Sequence, residues 1–295
     1  MNIVKVVLVA ACLIGSGLAH ARYSHEKETN VATINDVELA YVVAGEVDAI
    51  PIVLVMGLTA SHRLWHEGFV HGLVDAGYRV VLFDNRDTGD SERLDRLGEP
   101  TLWWEMLKNV VGISVDAPYS LNDMAADTIG VMDELGIKRA HIVGASMGGM
   151  IAQIVAANYP ERTRSLVSIM STTGAPHLPE PLEQAAADLQ GLGEVDGESA
   201  ERMAALGIYP EAMPRQLLAI VAAGDRSEQV KSIAVPTLVQ HGADDTLLPP
   251  PHGAHTAALI GDAEYVVYDG MGHNLPDEVI PSLLKDIISH IEGVE

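Results

Sequence analysis

The sequence predicts an α/β fold in which a mostly parallel sheet is covered by helices on both faces. Two observations favour it: short apolar runs recur along the chain, and segments with helical spacing separate them. Continuous apolar runs are typical of strands buried on both faces, and a helix between two such strands favours parallel pairing. The predicted strands are 50–56, 78–83, 140–143, 165–170, 237–241 and 265–268.

A β-hairpin is predicted at residues 31–46, ahead of the first of these strands. β-branched residues occur on both sides of Asn35 and Asp36, a pattern typical of a tight turn between two strands.

Four segments have clear helical spacing. In one of them Ser120 is an N-cap candidate, Asp123 follows three residues later, and Gly136 stands just after the last turn. These signals predict both ends of that helix. The four predicted helices are 66–76, 120–135, 147–158 and 281–291.

Two stretches do not follow the strand–helix alternation. Residues 171–232 are rich in Ala, Glu, Pro and Gly, contain no credible strand and have several short helical patterns. We interpret them as a helical cap over the sheet, at about 172–232, rather than as an independent domain. Residues 92–118 are predicted to be irregular, and they contain Trp103 and Trp104.

Composition excludes several function classes. The chain has 295 residues, of which 48% are apolar, so it can bury a sizeable core. Acidic residues outnumber basic ones 41 to 18, and the net charge of −23 argues against a nucleic-acid partner. The single cysteine rules out an internal disulfide framework and a metal site built from four cysteines.

The N-terminal segment, residues 1–21, is predicted to be a signal peptide. A short basic start precedes a 13-residue apolar run, residues 6–18, which is too short to span a bilayer, and Ala19-His20-Ala21 fits a cleavage site. The expected product is residues 22–295, exported to the periplasm or secreted, without cysteine and without stable membrane insertion. An uncleaved anchor, a first core strand or a lipoprotein modified at Cys12 are the alternatives.

The strongest chemical signal is the segment 144–149, GASMGG, which contains the pattern G-x-S-x-G around Ser146. A predicted strand ends just before it and a predicted helix begins at Met147, which is the setting that a nucleophile elbow requires. The turn is so tight that only small residues fit, and it holds the serine hydroxyl at a helix N-terminus. The alternative is a glycine-rich turn whose serine has no chemical role.

With these residues the sequence resembles the α/β-hydrolase family over essentially all of the chain after the leader. The segments FDNRDTGDS (83–91) and GASMGGMIAQ (144–153) are similar to esterases of the aclacinomycin-methylesterase type. The resemblance implies an eight-stranded, mostly parallel sheet with a helical cap. It also implies a nucleophile, an acid and a histidine in that order along the chain.

The acid and the base can also be sought from the predicted strands. A serine hydroxyl needs a histidine to accept its proton and a carboxylate to orient that histidine, and such groups belong in loops after the carboxyl ends of strands. His273 follows the last strand between glycines, and Asp244 and Asp245 follow the strand before it. The family pattern G-x-x-D-x-x-hydrophobic-Pro favours Asp245 over Asp244.

An acyl-transfer site also needs two backbone donors for the oxyanion. One would be the amide of Met147, the residue after the candidate nucleophile. By resemblance, the other is the amide of Leu58, in the loop after the first parallel strand. Met56 stands where the family usually has histidine in this loop.

Other polar residues are predicted to be structural. Asp84, Arg86 and Ser91 form a charged loop at a strand end, where ion pairs and backbone hydrogen bonds account for them. The histidine pairs 62/66 and 252/255 have helical spacing, but they lack H-E-x-x-H and are expected on exposed faces. No phosphate-binding loop or dinucleotide fingerprint is present. We therefore expect no metal and no cofactor.

Together these residues predict a serine hydrolase that cleaves small or medium carboxylic esters. Ser146 would be the nucleophile, His273 the base and Asp245 the orienting acid, with the Leu58 and Met147 amides as the oxyanion hole. Two alternatives remain open on the same triad: a carbon–carbon bond hydrolase of meta-cleavage products and a cofactor-free haloperoxidase. A third is a non-catalytic ligand-binding member of the fold.

Overall fold

The computed structural model of the protein describes residues 28–182 and 197–295. The predicted signal peptide lies outside the described residues, as does the part of the predicted cap at 183–196. No helix in the described ranges is both long enough and apolar enough to cross a bilayer. The division into leader, hydrolase domain and cap stays a prediction.

The described chain contains one eight-stranded sheet. Its strands are β1 Asn30–Ile34, β2 Val37–Ala44, β3 Pro51–Val55, β4 Arg79–Phe83, β5 Ala140–Ala145, β6 Thr163–Ile169, β7 Thr237–Gly242 and β8 Glu264–Tyr268. They lie in the order β1-β2-β4-β3-β5-β6-β7-β8. Strands β3 to β8 are parallel, while β2 pairs antiparallel with β1 and with β4. The fold class and each of the six predicted parallel strands are thus confirmed.

The predicted hairpin is also confirmed. Ile34 pairs with Val37, so the loop contains only Asn35 and Asp36, whose φ angles are +50° and +62°. Two successive residues in the left-handed region make the hairpin turn whose twist matches that of the flanking strands.

Helices cover the sheet, and the four predicted from spacing are present. At the start of the helix that follows Ser120, Ser120 Oγ accepts from the Asp123 amide at 3.2 Å and Asp123 Oδ2 accepts from the Ser120 amide at 2.7 Å, so the predicted cap forms. The helices are α1 Glu67–Asp75, α2 Leu102–Val110, α3 Leu121–Glu134, α4 Met147–Asn158, α5 Gly197–Ala205, α6 Met213–Ala223, α7 Ser227–Lys231, α8 Pro251–Leu259 and α9 Ile280–Val294.

Alternate residues of the central strands face opposite cores. In β3, Val53 and Val55 belong to the cluster that includes Ile151 of α4, whereas Leu54 packs in the cluster that includes Phe69 of α1 and Ile287 of α9. Helices on both faces explain why these strands are continuously apolar in sequence. The carboxyl ends of the parallel strands then form one edge, where the loops meet.

Two helices, α2 and α8, are not indicated by the sequence pattern. The prediction that 92–118 is irregular is wrong, because α2 forms within it. In α2, Trp103 and Leu107 are exposed, whereas Met106 and the acidic Glu105 are buried, so apolar residues lie on both faces of the helix. In the predicted cap, α5, α6 and α7 are helical, while residues 171–182 form a loop without regular structure.

Candidate active site

The strand–turn–helix setting predicted for the segment 144–149 is present between β5 and α4. Ser146 has φ +58° and ψ −120°, a conformation that side-chain-bearing residues rarely adopt. A Cβ on Gly144 would lie 2.2 Å from the Gly148 carbonyl oxygen, and one on Gly148 would lie 2.0 Å from the Val55 carbonyl oxygen. Only glycine therefore fits at these two positions.

Ser146, His273 and Asp245 are joined in one line of hydrogen bonds. The Ser146 Oγ lies 2.9 Å from His273 Nε2, and His273 Nδ1 lies 2.8 Å from Asp245 Oδ2. When Nδ1–H donates to the carboxylate, Nε2 is left as the acceptor for the serine hydroxyl. The three side chains come from the loops after β5, β7 and β8, at the carboxyl edge of the sheet.

The Asp245 carboxylate is buried, and protein donors replace the water that it loses. Its Oδ1 accepts from the amides of Leu247 at 2.9 Å and Leu248 at 2.8 Å. Burial alone would raise the pKa of Asp245, but the nearby His273 and the hydrogen bonds from His241, His273 and the Leu248 amide outweigh it. The pKa of Asp245 therefore lies well below its usual range, and the carboxylate is ionised at neutral pH.

The rival carboxylate, Asp244, has a different set of contacts. Its Oδ2 accepts from the Gly270 amide at 3.0 Å, and its own amide donates to the Met271 carbonyl at 3.0 Å. Asp244 thus braces the loop that bears His273, whereas Asp245 touches the imidazole itself.

The two amides expected to form an oxyanion hole belong to residues that line the same cavity as Ser146. Leu58 and Met147 both line that cavity, and within residues 28–182 and 197–295 neither amide donates to a protein acceptor. Asn85 Nδ2 donates to the Met56 carbonyl at 2.9 Å, and the Thr59 amide donates to Gln216 Oε1 at 2.7 Å. These two bonds fix the loop on either side of Leu58.

Neither of these two supports is predicted from the sequence. Asn85 lies in the segment FDNRDTGDS, whose charge pattern indicates a structural loop but no link to the loop that bears Leu58. Gln216 lies in α6, and no sequence motif in the predicted cap marks it.

The charged loop at the end of β4 has the ion pair and the backbone hydrogen bonds that the sequence predicts for it. Arg86 makes two bonds to Asp127, from Nε at 2.7 Å and from Nη2 at 2.8 Å. The Ser91 hydroxyl donates to the Asp84 carbonyl oxygen at 2.7 Å, and Asp84 Oδ1 accepts from the His62 amide at 2.6 Å. None of Asp84, Arg86 and Ser91 lines the cavity.

The expectation that His62 and His252 lie on exposed faces is wrong. His62 is fully buried against Asp84, with its Nδ1 2.8 Å from Oδ1. His252, in the unpredicted helix α8, donates from Nε2 to the Pro179 carbonyl at 3.0 Å and accepts from the Thr172 hydroxyl at 2.7 Å. Burial lowers the pKa of His252 to about 4, so the ring is neutral at neutral pH.

No set of three or more His, Cys, Asp or Glu side chains in the described ranges is arranged to hold a metal ion.

The cavity above Ser146 has a volume of about 330 Å³ and a mainly apolar wall. The loop 171–182 forms one side, and it is held in place by His252 and by Arg226, whose guanidinium donates to the Thr172 carbonyl. Residues of α6 form the opposite side. Apart from Leu58 and Met147, the apolar lining residues are Met150, Ala175, Pro176, Leu178, Pro179, Pro181, Leu217, Ile220, Val221, Leu247 and Leu248.

Comparisons with known proteins agree with this architecture. The profile of the family described as alpha/beta hydrolase fold matches residues 50–203. The rhodomycin D methylesterase of Streptomyces peucetius is 28% identical, with 89% of this chain and 97% of the relative covered. A 2-hydroxy-6-oxononadienedioate/2-hydroxy-6-oxononatrienedioate hydrolase of Paraburkholderia phymatum is 32% identical, with 69% of this chain and 73% of the relative covered.

Among solved structures, the enol-lactonase of Burkholderia xenovorans superposes with a TM-score of 0.68 at 23% identity, covering 89% of this chain and all of the other. This likeness concerns the fold alone. The resemblance to methylesterases in two sequence segments is confirmed by the methylesterase relative, which aligns over nearly its whole length. With its profile match, its sheet order and its relatives, the chain belongs to the α/β-hydrolase fold family.

Proposed function

We propose that the protein is a carboxylesterase that cleaves small or medium carboxylic esters through an acyl-enzyme on Ser146. Two consecutive hydrogen bonds carry the proposal. Ser146 Oγ lies 2.9 Å from His273 Nε2, and His273 Nδ1 lies 2.8 Å from Asp245 Oδ2. A serine in hydrogen-bond contact with an oriented histidine is the arrangement that makes a hydroxyl nucleophilic at neutral pH.

In the first half of the reaction, Ser146 Oγ attacks the ester carbonyl carbon while its proton passes to His273 Nε2. The tetrahedral intermediate collapses when the carbon–oxygen bond to the alcohol breaks, and the alcohol takes the proton from His273. The acyl group is then an ester of Ser146. In the second half, water attacks this ester, His273 accepts the water proton, and the acid leaves as the serine regains its hydrogen.

Asp245 would act on the imidazole rather than on the substrate. Its carboxylate accepts from the Leu247 and Leu248 amides on one oxygen and from the Nδ1–H of His273 on the other. This fixes the tautomer with a free Nε2 and stabilises the positive charge that His273 acquires. The Leu58 and Met147 amides would donate to the oxyanion, and among the described residues neither has a protein acceptor to give up first.

The cavity supports an ester with an apolar acyl or alcohol part. Its volume of about 330 Å³ and its apolar wall suit a small or medium substrate. The methylesterase relatives act on esters by their names, which agrees with the same reaction class.

A second candidate is hydrolysis of a carbon–carbon bond, favoured by the relative from Paraburkholderia, which is 32% identical and is named for a dienedioate hydrolase activity. The same three side chains can serve that reaction. A dienoate ketone substrate assayed beside the esters separates the two: faster turnover of the ketone would assign the chain to carbon–carbon bond hydrolysis.

The proposal is tested with a p-nitrophenyl ester series and a fluorophosphonate probe. The wild type should turn over short esters and be labelled, whereas Ser146→Ala should not be labelled and should lose about 10⁴-fold or more in kcat. Ser232→Ala, at an exposed serine far along the chain from the elbow, is the control and should be labelled normally. Labelling that survives Ser146→Ala would exclude Ser146 as nucleophile, and a folded wild type that is never labelled would favour a ligand-binding protein.

A further inference from the structure

The outer face of α2 is apolar and open to solvent. Six large apolar residues in this helix and just after it are between 46% and 69% exposed. We call them the α2 patch: Trp103, Trp104, Leu107, Val110, Val111 and Ile113. Single exposed apolar residues are ordinary, but a group of this kind marks an interaction surface.

The six side chains lie on one continuous surface. The rings of Trp103 and Trp104 touch edge to face, with centroids 5.8 Å apart, and Leu107 and Val110 follow at helical spacing. At the end of α2, Gly112 has φ +76° and the Ile113 amide donates to the Lys108 carbonyl at 2.8 Å. This helix ending folds the chain back, so that Ile113 stays beside the last turn.

The α2 patch has no net charge. The only charged side chains of α2 are Glu105 and Lys108, which pair with each other through Oε2 and Nζ at 2.5 Å and are largely covered. The whole chain, in contrast, has a net charge of −23. The segment 102–113, which contains the patch, therefore has no net charge, and the nearest charge after it in the chain is that of the exposed Asp116.

The α2 patch also adjoins the cavity that contains Ser146. Asn109 of α2 lines that cavity, and α2 packs against α6, whose Leu217 and Val221 line it too. Whatever covers the patch thus lies beside a helix that lines the cavity.

Charge selects the occupant. A second copy, or an anionic membrane, would bring like charge against a chain of −23. From their exposed fractions, the six side chains offer roughly 600 Å² of apolar surface. An uncharged lipid-like surface carries no charge penalty and needs no matching shape, and tryptophan side chains are well suited to such an interface.

We infer that the α2 patch docks onto the surface of an aggregated, uncharged ester, so that poorly soluble esters enter the cavity directly from that surface. This inference rests on the proposed esterase function and names a substrate class for it: neutral esters in droplets or micelles.

Tributyrin tests the inference, because the same ester is available dissolved and, above its solubility limit, as droplets. The wild-type rate should rise steeply once droplets form. Val111→Glu places a carboxylate in the patch, where docking would have to remove it from water. The ratio of the rate on droplets to the rate on dissolved tributyrin should therefore fall at least tenfold.

Val47→Glu is the matched control. Val47 and Val111 are 68% and 62% exposed, but Val47 lies in the loop between β2 and β3, at the opposite edge of the sheet. The two variants add the same charge at similarly exposed valines, and Val47→Glu should keep the wild-type ratio. Trp103→Ser, which adds no charge, is the second patch variant and should also lower the ratio.

Binding is measured separately from turnover with Ser146→Ala protein, which cannot consume the droplets. It should partition into the droplet fraction, and adding Val111→Glu should return it to the aqueous phase. Protein that stays in the aqueous phase, or an equal loss with Val47→Glu, would overturn the inference. So would a wild-type dimer in light scattering that Val111→Glu dissociates, because the patch would then be covered by a second copy.

The two proposals fail in different ways. If the protein hydrolyses dissolved tributyrin but does not partition into droplets, the docking surface is excluded and the esterase function stands. Partitioning without turnover of any ester would remove the esterase and leave a protein that binds neutral ester surfaces.

Discussion

Two adjacent carboxylates, Asp244 and Asp245, have different tasks at the level of single residues. Asp245 contacts His273 Nδ1 at 2.8 Å, while Asp244 accepts from the Gly270 amide in the loop that bears His273. Their positions in the sequence differ by one residue, but along a bent loop that step turns the side chain to another neighbour. Asp245 faces the imidazole because the Leu247 and Leu248 amides hold its other oxygen.

We expect Asp245→Asn to lower kcat by about 10³ to 10⁴-fold. The asparagine amide favours the wrong tautomer of His273, and without a negative charge it does not stabilise the imidazolium that forms during the reaction. Asp244→Asn keeps the loop shape and should cost about tenfold or less. Both are measured as kcat on a p-nitrophenyl ester at neutral pH, with folding checked by circular dichroism. A crippled Asp244→Asn beside a nearly normal Asp245→Asn would reverse the assignment.

Among the helices and strands, the elbow depends on how closely α4 approaches β3. Gly148, in the first turn of α4, lies so near the end of β3 that a Cβ would be 2.0 Å from the Val55 carbonyl oxygen and 2.6 Å from that of Met56. Both neighbours are backbone atoms, which cannot move aside as a side chain can. Gly57, which follows Met56, begins the loop that contains the Leu58 amide.

Gly148→Ala should therefore destabilise the protein by about 1–3 kcal/mol, through forced displacement of α4 from β3. It should also lower kcat on short esters, since the Leu58 and Met147 amides would no longer converge. Urea unfolding and steady-state kinetics measure the two effects.

Gly293→Ala is the control for this substitution. Gly293 lies in α9, where an added Cβ would meet no neighbouring atom within 4 Å, so the change should be neutral or stabilising by up to about 1 kcal/mol. Equal effects of Gly148→Ala and Gly293→Ala would contradict the close approach of α4 to β3 as the cause.

At the scale of the whole molecule, one buried ion pair connects two distant parts of the chain, helix α6 and the loop after β4. Arg215 donates to both oxygens of Asp87, from Nε at 2.9 Å and from Nη2 at 2.7 Å, and the Tyr119 hydroxyl donates to Asp87 Oδ2 at 2.7 Å. Arg215 and Asp87 are almost completely buried. The side of the cavity that α6 forms is thus held against the sheet by charge as well as by apolar packing.

Arg215→Met should lower the free energy of unfolding by about 3–5 kcal/mol, because Asp87 would be left buried without its counter-charge. Arg93→Met is the matched control, since Arg93 pairs with Glu211 beside α6 but both side chains are about half exposed. It should cost less than about 1 kcal/mol. Urea unfolding of both variants measures the difference, and similar losses would show that burial does not set the strength of these pairs.

Local patterns in the sequence were enough to predict the fold class, the hairpin, the elbow, Ser146 and His273, whereas the choice of Asp245 over Asp244 depended on the resemblance to the α/β-hydrolase family. Apolar runs mark strands buried on both faces, Asn35 and Asp36 tolerate the left-handed turn, small residues surround Ser146, and polar residues follow strand ends. Other features depend on contacts between residues far apart in the chain. These contacts decide which carboxylate oxygen binds His273, and they include the hydrogen bonds by which Asn85 and Gln216 hold the loop that contains Leu58.

The burial of His252 and the outward apolar face of α2 belong to the same class of feature. No local pattern marks either one, because each depends on what the folded chain places beside it. In α2 several apolar residues face solvent while Glu105 is buried beside Met106, so the order of residue types does not tell which face packs on the core. The sequence therefore predicts the side chains of the candidate site, whereas the apolar surface beside its cavity is determined only by how the chain folds.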